Sequence, residues 1–216
     1  MILLAEDLAH GIEQLGLNTT PEIRQKMLKY LALLQKWNKV YNLTAIRQPE
    51  QMVSNHLLDS LAVLPHLWPG RWLDVGCGAG LPGIVLALMR PQWTFTLLDS
   101  NSKKISFVRQ AIIELGLRNV NVCCARVEKW QPQEKFDGII SRAFADTSEF
   151  IALTRHLLAE GGRWVAMKGK PASELNHLPP DTEVERIIPL TVPELDATRG
   201  LVILKTTEHG QDISNH

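Results

Sequence analysis

The stretch WLDVGCGAGLPG, residues 72–83, decides the fold. It opens on residues apolar enough for a buried strand, and glycines follow at alternate positions, Gly76, Gly78 and Gly80. Where a strand turns through glycines into a helix, a ligand can lie against the backbone because no Cβ stands between them. The stretch therefore predicts the first strand of a parallel sheet, with a ligand site at its carboxyl end.

Two common nucleotide-binding loops do not match this spacing. A P-loop has Lys-Ser or Lys-Thr after its glycines, and a dinucleotide loop has a third glycine where this chain has Leu81. Asp74, two residues before the first glycine, disfavours a pyrophosphate because both are negatively charged. The ammonium of an amino-acid tail, such as that of S-adenosylmethionine, could instead meet Asp74, and its carboxylate could meet the helix start. A tight turn that binds nothing is the alternative.

Further candidates follow the next strands. Asp99 ends TFTLLD (94–99), where a carboxylate suits a ribose with two free hydroxyls. The same residue could also cap the helix that begins near Ser102, and both roles can hold together. Val127 and Glu128 follow the third strand and are placed to flank an adenine, although a plain surface loop is an equal alternative for them.

Strand and helix patterns alternate from Arg71 onward. Predicted strands are RWLDV (71–75), TFTLLD (94–99), VNVCCA (120–125), FDGIIS (136–141) and RWVAMK (163–168), with helices at 83–89, 102–115 and 148–160. Short apolar strands separated by helices predict an α/β fold with a parallel sheet covered on both faces. EVERIIPL (183–190) and LVILKT (201–206) have no helix pattern between them and predict an antiparallel pair at one edge.

Residues 1 to about 66 carry helical patterns only. The first helix stops at Gly16, the second starts at Pro21 after a capping Thr19 or Thr20, and the third runs from Pro49 to Pro65. This change of pattern divides the chain into a helical segment, 1–66, and an α/β domain, 67–216.

Composition excludes several classes of protein. The chain has 216 residues, 45% hydrophobic and 21% charged, with zero formal net charge, as in ordinary globular proteins. No apolar run reaches the roughly 18 residues of a membrane helix, and the N-terminus lacks the basic start of a signal peptide. Three cysteines without CxxC spacing disfavour a disulfide framework and a structural zinc site. We expect a cytoplasmic protein with no membrane partner.

One segment is strongly basic. Between residues 20 and 48 the chain has six basic residues against one acid, Glu22; they are Arg24, Lys26, Lys29, Lys36, Lys39 and Arg47. A solvated helix face is the ordinary interpretation of such a cluster.

The segment after the fourth strand, SRAFAD (141–146), lies where a methyltransferase sheet would present its acceptor. It lacks the Asp/Asn-Pro-Pro-aromatic run that grips an exocyclic amine and the Pro-Cys that attacks a pyrimidine. Cys123 and Cys124 lie within a predicted strand and are expected in the core. Guanine N7 would need neither device, because its lone pair is free and no proton must leave. Arg142 could hold a phosphate or a guanine edge.

Five blocks of the sequence together resemble a known family. They are KWNKVYNLTAI (36–46), HLLDS (56–60), LDVGCGAGLPGI (73–84), LLDSNSKKISFVRQ (97–110) and SRAFA (141–145). The chain is similar to the bacterial glucose-inhibited division protein B family, the small-subunit ribosomal RNA guanine-N7 methyltransferases. The resemblance implies a class I, Rossmann-like methyltransferase fold with a seven-stranded, mostly parallel sheet and an N-terminal helical cap. It also implies S-adenosylmethionine as methyl donor.

The resemblance also implies site residues. Donor contacts fall on Gly76, Leu81, Val127, Glu128 and Arg142, and the loop geometry adds Asp74, Gly78, Gly80 and Asp99. Candidates for RNA contact are Lys36, Asn38, Lys39, Asn42, Arg47, Lys103 and Lys104, while Trp37 and Tyr41 are expected to pack against the sheet. The expected partner is 16S ribosomal RNA, free or within a small-subunit particle. We expect a monomer without a metal; the sequence leaves the roles of His56 and Asp59 open.

Other interpretations keep part of this assignment. A methyltransferase could act on another RNA, a protein or a small molecule, and a non-catalytic ribosome-assembly factor could use the fold only to bind RNA. A nicotinamide oxidoreductase ranks last, because Asp74 and Leu81 both conflict with the dinucleotide loop.

Thermal unfolding with added ligand distinguishes the two cofactor classes. At a hundredfold excess over its dissociation constant, a ligand adds about 2.7 kcal/mol of stability. For a chain of this size the melting temperature should rise by roughly 5–10 °C with S-adenosylmethionine and stay unchanged with NAD. The reverse pattern would overturn the cofactor prediction.

Overall fold

A seven-stranded sheet forms the centre of the molecule, with strand order β3-β2-β1-β4-β5-β7-β6. We describe it from a computed structural model, which covers residues 2–142, 144, 146–169, 175 and 177–207. The strands are β1 (Arg71–Val75), β2 (Thr94–Asp99), β3 (Val120–Cys124), β4 (Phe136–Ser141), β5 (Leu158–Lys168), β6 (Thr182–Leu190) and β7 (Arg199–Thr206). The first five are parallel, β7 runs antiparallel to β5, and β6 runs antiparallel to β7 at the edge. The predicted mixed sheet with an antiparallel edge pair is confirmed.

The strand order reverses between β1 and β4. Chain connections from β1 lead to β2 on one side, and β4 pairs with β1 on the other. In open α/β sheets a crevice forms at the carboxyl ends of the strands where the order reverses, and ligands bind there. The topology therefore places the turn after β1 at the mouth of this crevice.

Helices flank the sheet and fill the N-terminal segment. They are α1 (Ile2–Gln14), α2 (Pro21–Tyr41), α3 (Pro49–Met52), a π-helical segment (Val53–Leu58), α4 (Asp59–Leu61), α5 (Gly83–Met89), α6 (Ser102–Leu115) and α7 (Thr147–Thr154). The start of α2 is as predicted, because the Thr20 hydroxyl accepts a hydrogen bond from the N–H of Ile23. Gly116 ends α6 with φ 64°, a left-handed conformation that glycine adopts without strain.

Two local predictions were wrong, and one helix has an unexpected form. The third helix begins at Pro49 as predicted, but its central part is π-helical, a form that often marks functional sites. Helix α7 ends at Thr154 rather than at residue 160, because Leu158 already pairs with Phe136 of β4 and begins β5. Cys124 is exposed and Cys123 only partly buried, because β3 is an edge strand.

One hydrophobic core joins the N-terminal helices to the sheet. Leu8, Tyr30 and Leu57 from the helical segment belong to the same buried cluster as Trp72 of β1 and Ile84 of α5. The predicted boundary at residues 66 and 67 falls just before β1, yet the core runs across it. The division into two domains stays a prediction, and residues 208–216 at its end lie outside the described part of the chain.

Replacing Gly138 of β4 tests how tightly the centre of the sheet is packed. A Cβ at this position would lie 2.5 Å from the ring of Trp72, which is fully buried and packs against two neighbouring tryptophans. Gly138→Ala should therefore lower the free energy of unfolding by about 1–3 kcal/mol in urea denaturation. Gly169→Ala is the control, since a Cβ there meets no atom within 4 Å. Equal stability of the two variants would contradict this description of the core.

Candidate functional site

The turn after β1, residues 76–82 (here the glycine loop), is bonded to the end of β2. The N–H groups of Gly76 and Cys77 donate to the Leu98 carbonyl at 2.8 and 3.1 Å, and that of Gly78 donates to Asp99 Oδ2 at 3.0 Å. Gly76, Gly78 and Gly80 have φ values of 68°, 58° and 86°, which residues with a Cβ rarely adopt. A Cβ on Gly78 would meet no atom closer than 4.0 Å, so this face of the backbone is open to a ligand.

Asp74 lies beneath the glycine loop with half of its carboxylate unused. Oδ2 accepts a hydrogen bond from the N–H of Gly83 at the start of α5, at 2.8 Å. Oδ1 is buried and has no hydrogen-bond partner among the described residues. Burial raises the pKa of Asp74 to about 7, against the lowering effect of the Gly83 bond. A cationic partner at Oδ1 would relieve this cost, which fits the predicted ammonium contact.

Asp99, at the end of β2, fixes the other side of the loop. Its Oδ1 accepts from the N–H of Asn101 at 2.8 Å, and its Oδ2 accepts from Gly78. The alternative role of Asp99 as a helix cap is wrong, because Asn101 caps α6 by accepting from the N–H groups of Lys103 and Lys104. Each carboxylate oxygen has a second lone pair, so hydroxyls of a ribose could still bind Asp99.

Tyr30 of α2 holds the loop from the helical segment, and the sequence analysis missed it. The buried hydroxyl donates to the Ala79 carbonyl at 2.8 Å. Burial raises the pKa of Tyr30, which keeps the hydroxyl protonated and able to donate. The only sequence signal was position: Tyr30 lies on the same helical stripe as the apolar Met27 and Leu34.

A cavity of about 190 Å³, here the donor cavity, opens above the glycine loop. Its lining includes Gly76, Gly78, Leu81 and Arg142 from the predicted set, with Leu43, Thr44, His56, Cys77 and Ala79 in addition. Asp74 lies below this lining, and Asp99, Val127 and Glu128 stand outside it. Gly80 serves packing, since a Cβ there would lie 2.5 Å from Ile84. The structure thus gathers about half of the predicted donor residues around one cavity.

Val127 and Glu128 form part of a short 3₁₀ turn after β3. Val127 is buried, and Glu128 is partly exposed with Oε1 4.0 Å from the Arg126 guanidinium. Their position at the carboxyl end of a strand is as predicted, and their contact with an adenine stays a prediction.

His56 and Asp59, whose roles the sequence left open, both lie beside Arg142. His56 Nε2 is 3.0 Å from the Thr44 hydroxyl, and burial together with the nearby Arg142 lowers the pKa of His56 to about 4. Arg142 Nη1 donates to Asp59 Oδ2 at 3.1 Å, and Arg199 Nε donates to Asp59 Oδ1 at 3.0 Å. Asp59 is therefore a long-range ion-pair partner, since its arginines are 83 and 140 residues away.

The basic segment lines a second concave surface. A cleft of about 410 Å³, here the basic cleft, is bounded by Lys36, Lys39 and Arg47, together with Ala32, Gln35, Asn38 and Met52. Lys36, Lys39 and Arg47 are exposed. The side chain of Arg47 donates to Asn42, another candidate, at 3.4 Å. Such a surface can attract phosphates.

Two residues of this segment differ in exposure from what the sequence indicates. Asn38 is 5% exposed, and its amide exchanges two hydrogen bonds with the Thr44 backbone, so it holds this loop, while its contact with RNA stays a prediction. Trp37 packs against Phe107 of α6 as expected, with ring centroids 5.7 Å apart, whereas Tyr41 is 43% exposed. Elsewhere, Lys103 is exposed and Lys104 approaches Asp99 at 4.0 Å.

No group of three or more His, Cys, Asp or Glu side chains within the described residues could hold a metal ion, and the absence of a metal stays a prediction. No helix within the same residues has both the length and the apolar character needed to cross a bilayer.

Comparison with known proteins gives consistent similarities. The family model described as rRNA small subunit methyltransferase G (GidB) matches residues 23–202. The ribosomal RNA small subunit methyltransferase G of Laribacter hongkongensis is 54% identical over 202 residues, which cover 93% of this chain and 98% of that protein. The protein of the same name from Chromobacterium violaceum is 54% identical over 204 residues, covering 94% and 98%.

Solved structures share the fold. A SAM-dependent methyltransferase from Aquifex aeolicus aligns with a TM-score of 0.56 at 18% identity, over 78% of this chain and 96% of that chain. The N-methyltransferase NodS of Bradyrhizobium japonicum, solved with S-adenosyl-L-homocysteine, aligns with a TM-score of 0.54 at 16% identity, over 83% and 98%. At these identities the similarity establishes the methyltransferase fold alone.

Asp74→Asn should change how stability depends on pH. The pKa of Asp74 is raised, so the folded protein keeps a proton that the unfolded chain loses as pH rises from about 4 to about 7. Across this window the wild type should lose up to about 4 kcal/mol of stability relative to Asp74→Asn, measured by urea denaturation at several pH values.

Asp146→Asn is the matched control. Hydrogen bonds from the backbone N–H groups of Glu149 and Ser148 lower the pKa of Asp146, so its contribution is lost only as pH falls below about 4. The difference between wild type and Asp146→Asn should stay constant from pH 4.5 to pH 7.5. A constant difference for Asp74→Asn as well would disprove the raised pKa.

Proposed function

The chain belongs to the GidB family of rRNA small subunit methyltransferases G, and on that premise we propose that it methylates N7 of a guanine in 16S ribosomal RNA, with S-adenosylmethionine as donor. The observation that carries the proposal is the identity of 54% to a methyltransferase of this name across 93% of the chain. The family predicted from the sequence blocks is thereby confirmed. The site chemistry supports the finer parts of the proposal.

The residues around the glycine loop fit this donor. Asp74 Oδ1 is buried without a partner among the described residues, as a site for an ammonium group would be. The open backbone at Gly78 has room for an amino-acid tail, and Asp99 offers carboxylate lone pairs to ribose hydroxyls. Gly76, Leu81 and the Val127–Glu128 turn complete the proposed donor contacts.

The proposed reaction asks for positioning rather than proton transfer. Bound S-adenosylmethionine supplies a methyl group that its positive sulfur makes electrophilic. Guanine N7 has a free lone pair, so no side chain of the protein has to remove a proton. His56, with its pKa lowered to about 4, stays neutral near pH 7 and adds no charge beside a cationic donor. Arg142 borders the donor cavity and can hold the acceptor in line while water is excluded.

We assign RNA binding to the basic cleft. Lys36, Lys39 and Arg47 are exposed around one concave surface and can neutralise backbone phosphates. Lys103, exposed at the start of α6, and Lys104, beside Asp99, would extend this positive surface toward the donor. The proposal includes the small ribosomal subunit, or its RNA, as partner, and a monomeric protein in the cytoplasm.

Methyl transfer to ribosomal particles tests the function directly. Small subunits are isolated from cells that lack this protein and are incubated with the purified protein and radiolabelled S-adenosylmethionine. They should accept labelled methyl groups, and nucleoside analysis should recover all label as 7-methylguanosine. Subunits from cells that contain the protein are the control and should accept almost none. Label in another nucleoside, or in none, would refute the proposed acceptor.

The charges of the basic cleft can be tested in the same assay. The double variant Lys36→Gln/Lys39→Gln should raise the KM for the RNA substrate and flatten its salt dependence, because fewer phosphate contacts release fewer counterions. Its affinity for S-adenosylmethionine should not change. Lys135→Gln is the control, since residue 135 is exposed in the loop before β4. An unchanged KM for the double variant would remove the basic cleft from the proposal.

A further inference from the structure

A second cavity lies beyond Arg142, and neither the donor contacts nor the basic cleft accounts for it. It has a volume of about 410 Å³, within the usual range for ligand pockets. Its lining residues are Thr44, Ala45, Ile46, Asn55, His56, Asp59, Arg142, Met167, Lys168, Gly169, Leu190, Arg199 and Gly200. It shares Thr44, His56 and Arg142 with the donor cavity, so the two cavities meet at these side chains.

One buried carboxylate organises the wall of this cavity. The side chain of Asp59 is 3% exposed, and its two oxygens accept from Arg142 at 3.1 Å and from Arg199 at 3.0 Å. The two arginine side chains are 31% and 28% exposed, so each is held at the surface of the cavity rather than in bulk solvent. Asp59 thereby fixes two guanidinium groups that come from β7 and from the end of β4.

Both arginines retain hydrogen-bonding capacity. Within the described residues, the bonds of Arg142 leave from Nη1 alone, to Asn55 and Asp59. Those of Arg199 leave from Nε to Asp59 and from Nη1 to the Thr198 carbonyl. A guanidinium has five N–H donors, and Nη2 of each arginine has no partner among the described residues, so it can donate to a ligand in the cavity. Lys168, whose Nζ donates to the Phe144 carbonyl, adds a further positive charge to the wall.

This wall is rich in hydrogen-bond donors and matches one edge of guanine. The N7 edge of guanine presents two acceptors, N7 and O6, whereas adenine has an amino donor in place of O6. When N7 points at the donor cavity to receive a methyl group, its lone pair is engaged and O6 is left to accept. A guanidinium beside the junction of the two cavities can donate to O6, and the same wall would repel the amino group of adenine.

Resting on the proposed function, we infer that this second cavity, here the acceptor cavity, receives the guanosine that is methylated. Arg142, at the junction of the two cavities, donates to O6 of the guanine, and Arg199 donates to the adjoining phosphate. Asp59 is a positioning residue, which acts by holding both guanidinium groups at the wall. This assigns the acceptor to the side of Arg142 opposite the glycine loop.

Arg199→Gln and Asp59→Asn test the inference, with undermethylated small subunits as substrate. Asn keeps the shape of Asp59 but loses the charge, which lowers the risk of misfolding. Each variant should lower kcat/KM for methyl transfer roughly 10- to 100-fold, the range for loss of one hydrogen bond that involves a charged group. The affinity of Arg199→Gln for S-adenosylmethionine, measured by calorimetry, should change less than about twofold, because Arg199 does not line the donor cavity. Arg199→Lys, which keeps the charge, should recover part of the lost activity.

Arg163→Gln is the matched control. Arg163 also forms an ion pair with a carboxylate, Glu185 at 2.7 Å, and its side chain is 35% exposed, but it does not line either cavity. The Arg163→Gln variant should have the same kcat/KM for methyl transfer as the wild type.

The possible failures are distinguishable. An inactive wild type would refute the proposed function itself. An active wild type with an equally active Arg199→Gln would overturn the acceptor cavity alone. A loss of S-adenosylmethionine affinity in Arg199→Gln would also overturn it, because Arg199 would then act on the methyl donor.

Discussion

The structure of the site depends on how the backbone of the glycine loop is held while one face of it stays open. Asp99 accepts from the N–H of Gly78 at the end of β2, and Asp74 accepts from the N–H of Gly83 beneath the loop. Tyr30 donates to the Ala79 carbonyl from the helical segment. These buried polar bonds are costly to break, since each would leave an unsatisfied group. They fix a left-handed loop conformation that has room for a ligand at Gly78.

Tyr30 also explains why the helical segment is integral to the site. The helices share one hydrophobic core with the sheet, and α2 and the π-helical segment bring Tyr30 and His56 to the crevice. The loop that follows α2 carries Thr44, which Asn38 holds through two hydrogen bonds. The segment is therefore a wall of the cavity as well as a cap on the sheet.

Most of the sheet could be predicted from the sequence. Strands β1, β2 and β4 have the predicted bounds, because short apolar runs between glycines and polar turns have few other conformations. The end of α7 could not be predicted, since residues 158–160 suit a helix as well as a strand. Only their pairing with β4 decides between the two. The strand order then places the crevice.

The sequence predicted those parts of the site whose residues form a contiguous pattern, and not those that depend on contacts between distant residues. The glycines and Asp74 form a contiguous pattern, so the loop was identified from its spacing. The pairing of Asp59 with Arg199 joins residues 140 positions apart, and no sequence pattern marks it. Asn38 looked like a polar residue available to RNA, but the fold directs its amide to its own backbone. Tertiary contacts, rather than residue type, separate the structural polar groups from those that can meet a ligand.

A crystal structure with S-adenosyl-L-homocysteine bound would test the central claim most directly, namely that the glycine loop is shaped for an amino-acid-bearing nucleoside. The account predicts that the amino group of the ligand lies beside Asp74 Oδ1 and that its amino-acid tail lies along Gly78, with the acceptor cavity left free. A ligand bound away from the glycine loop, or with its amino-acid end in the acceptor cavity, would contradict the account.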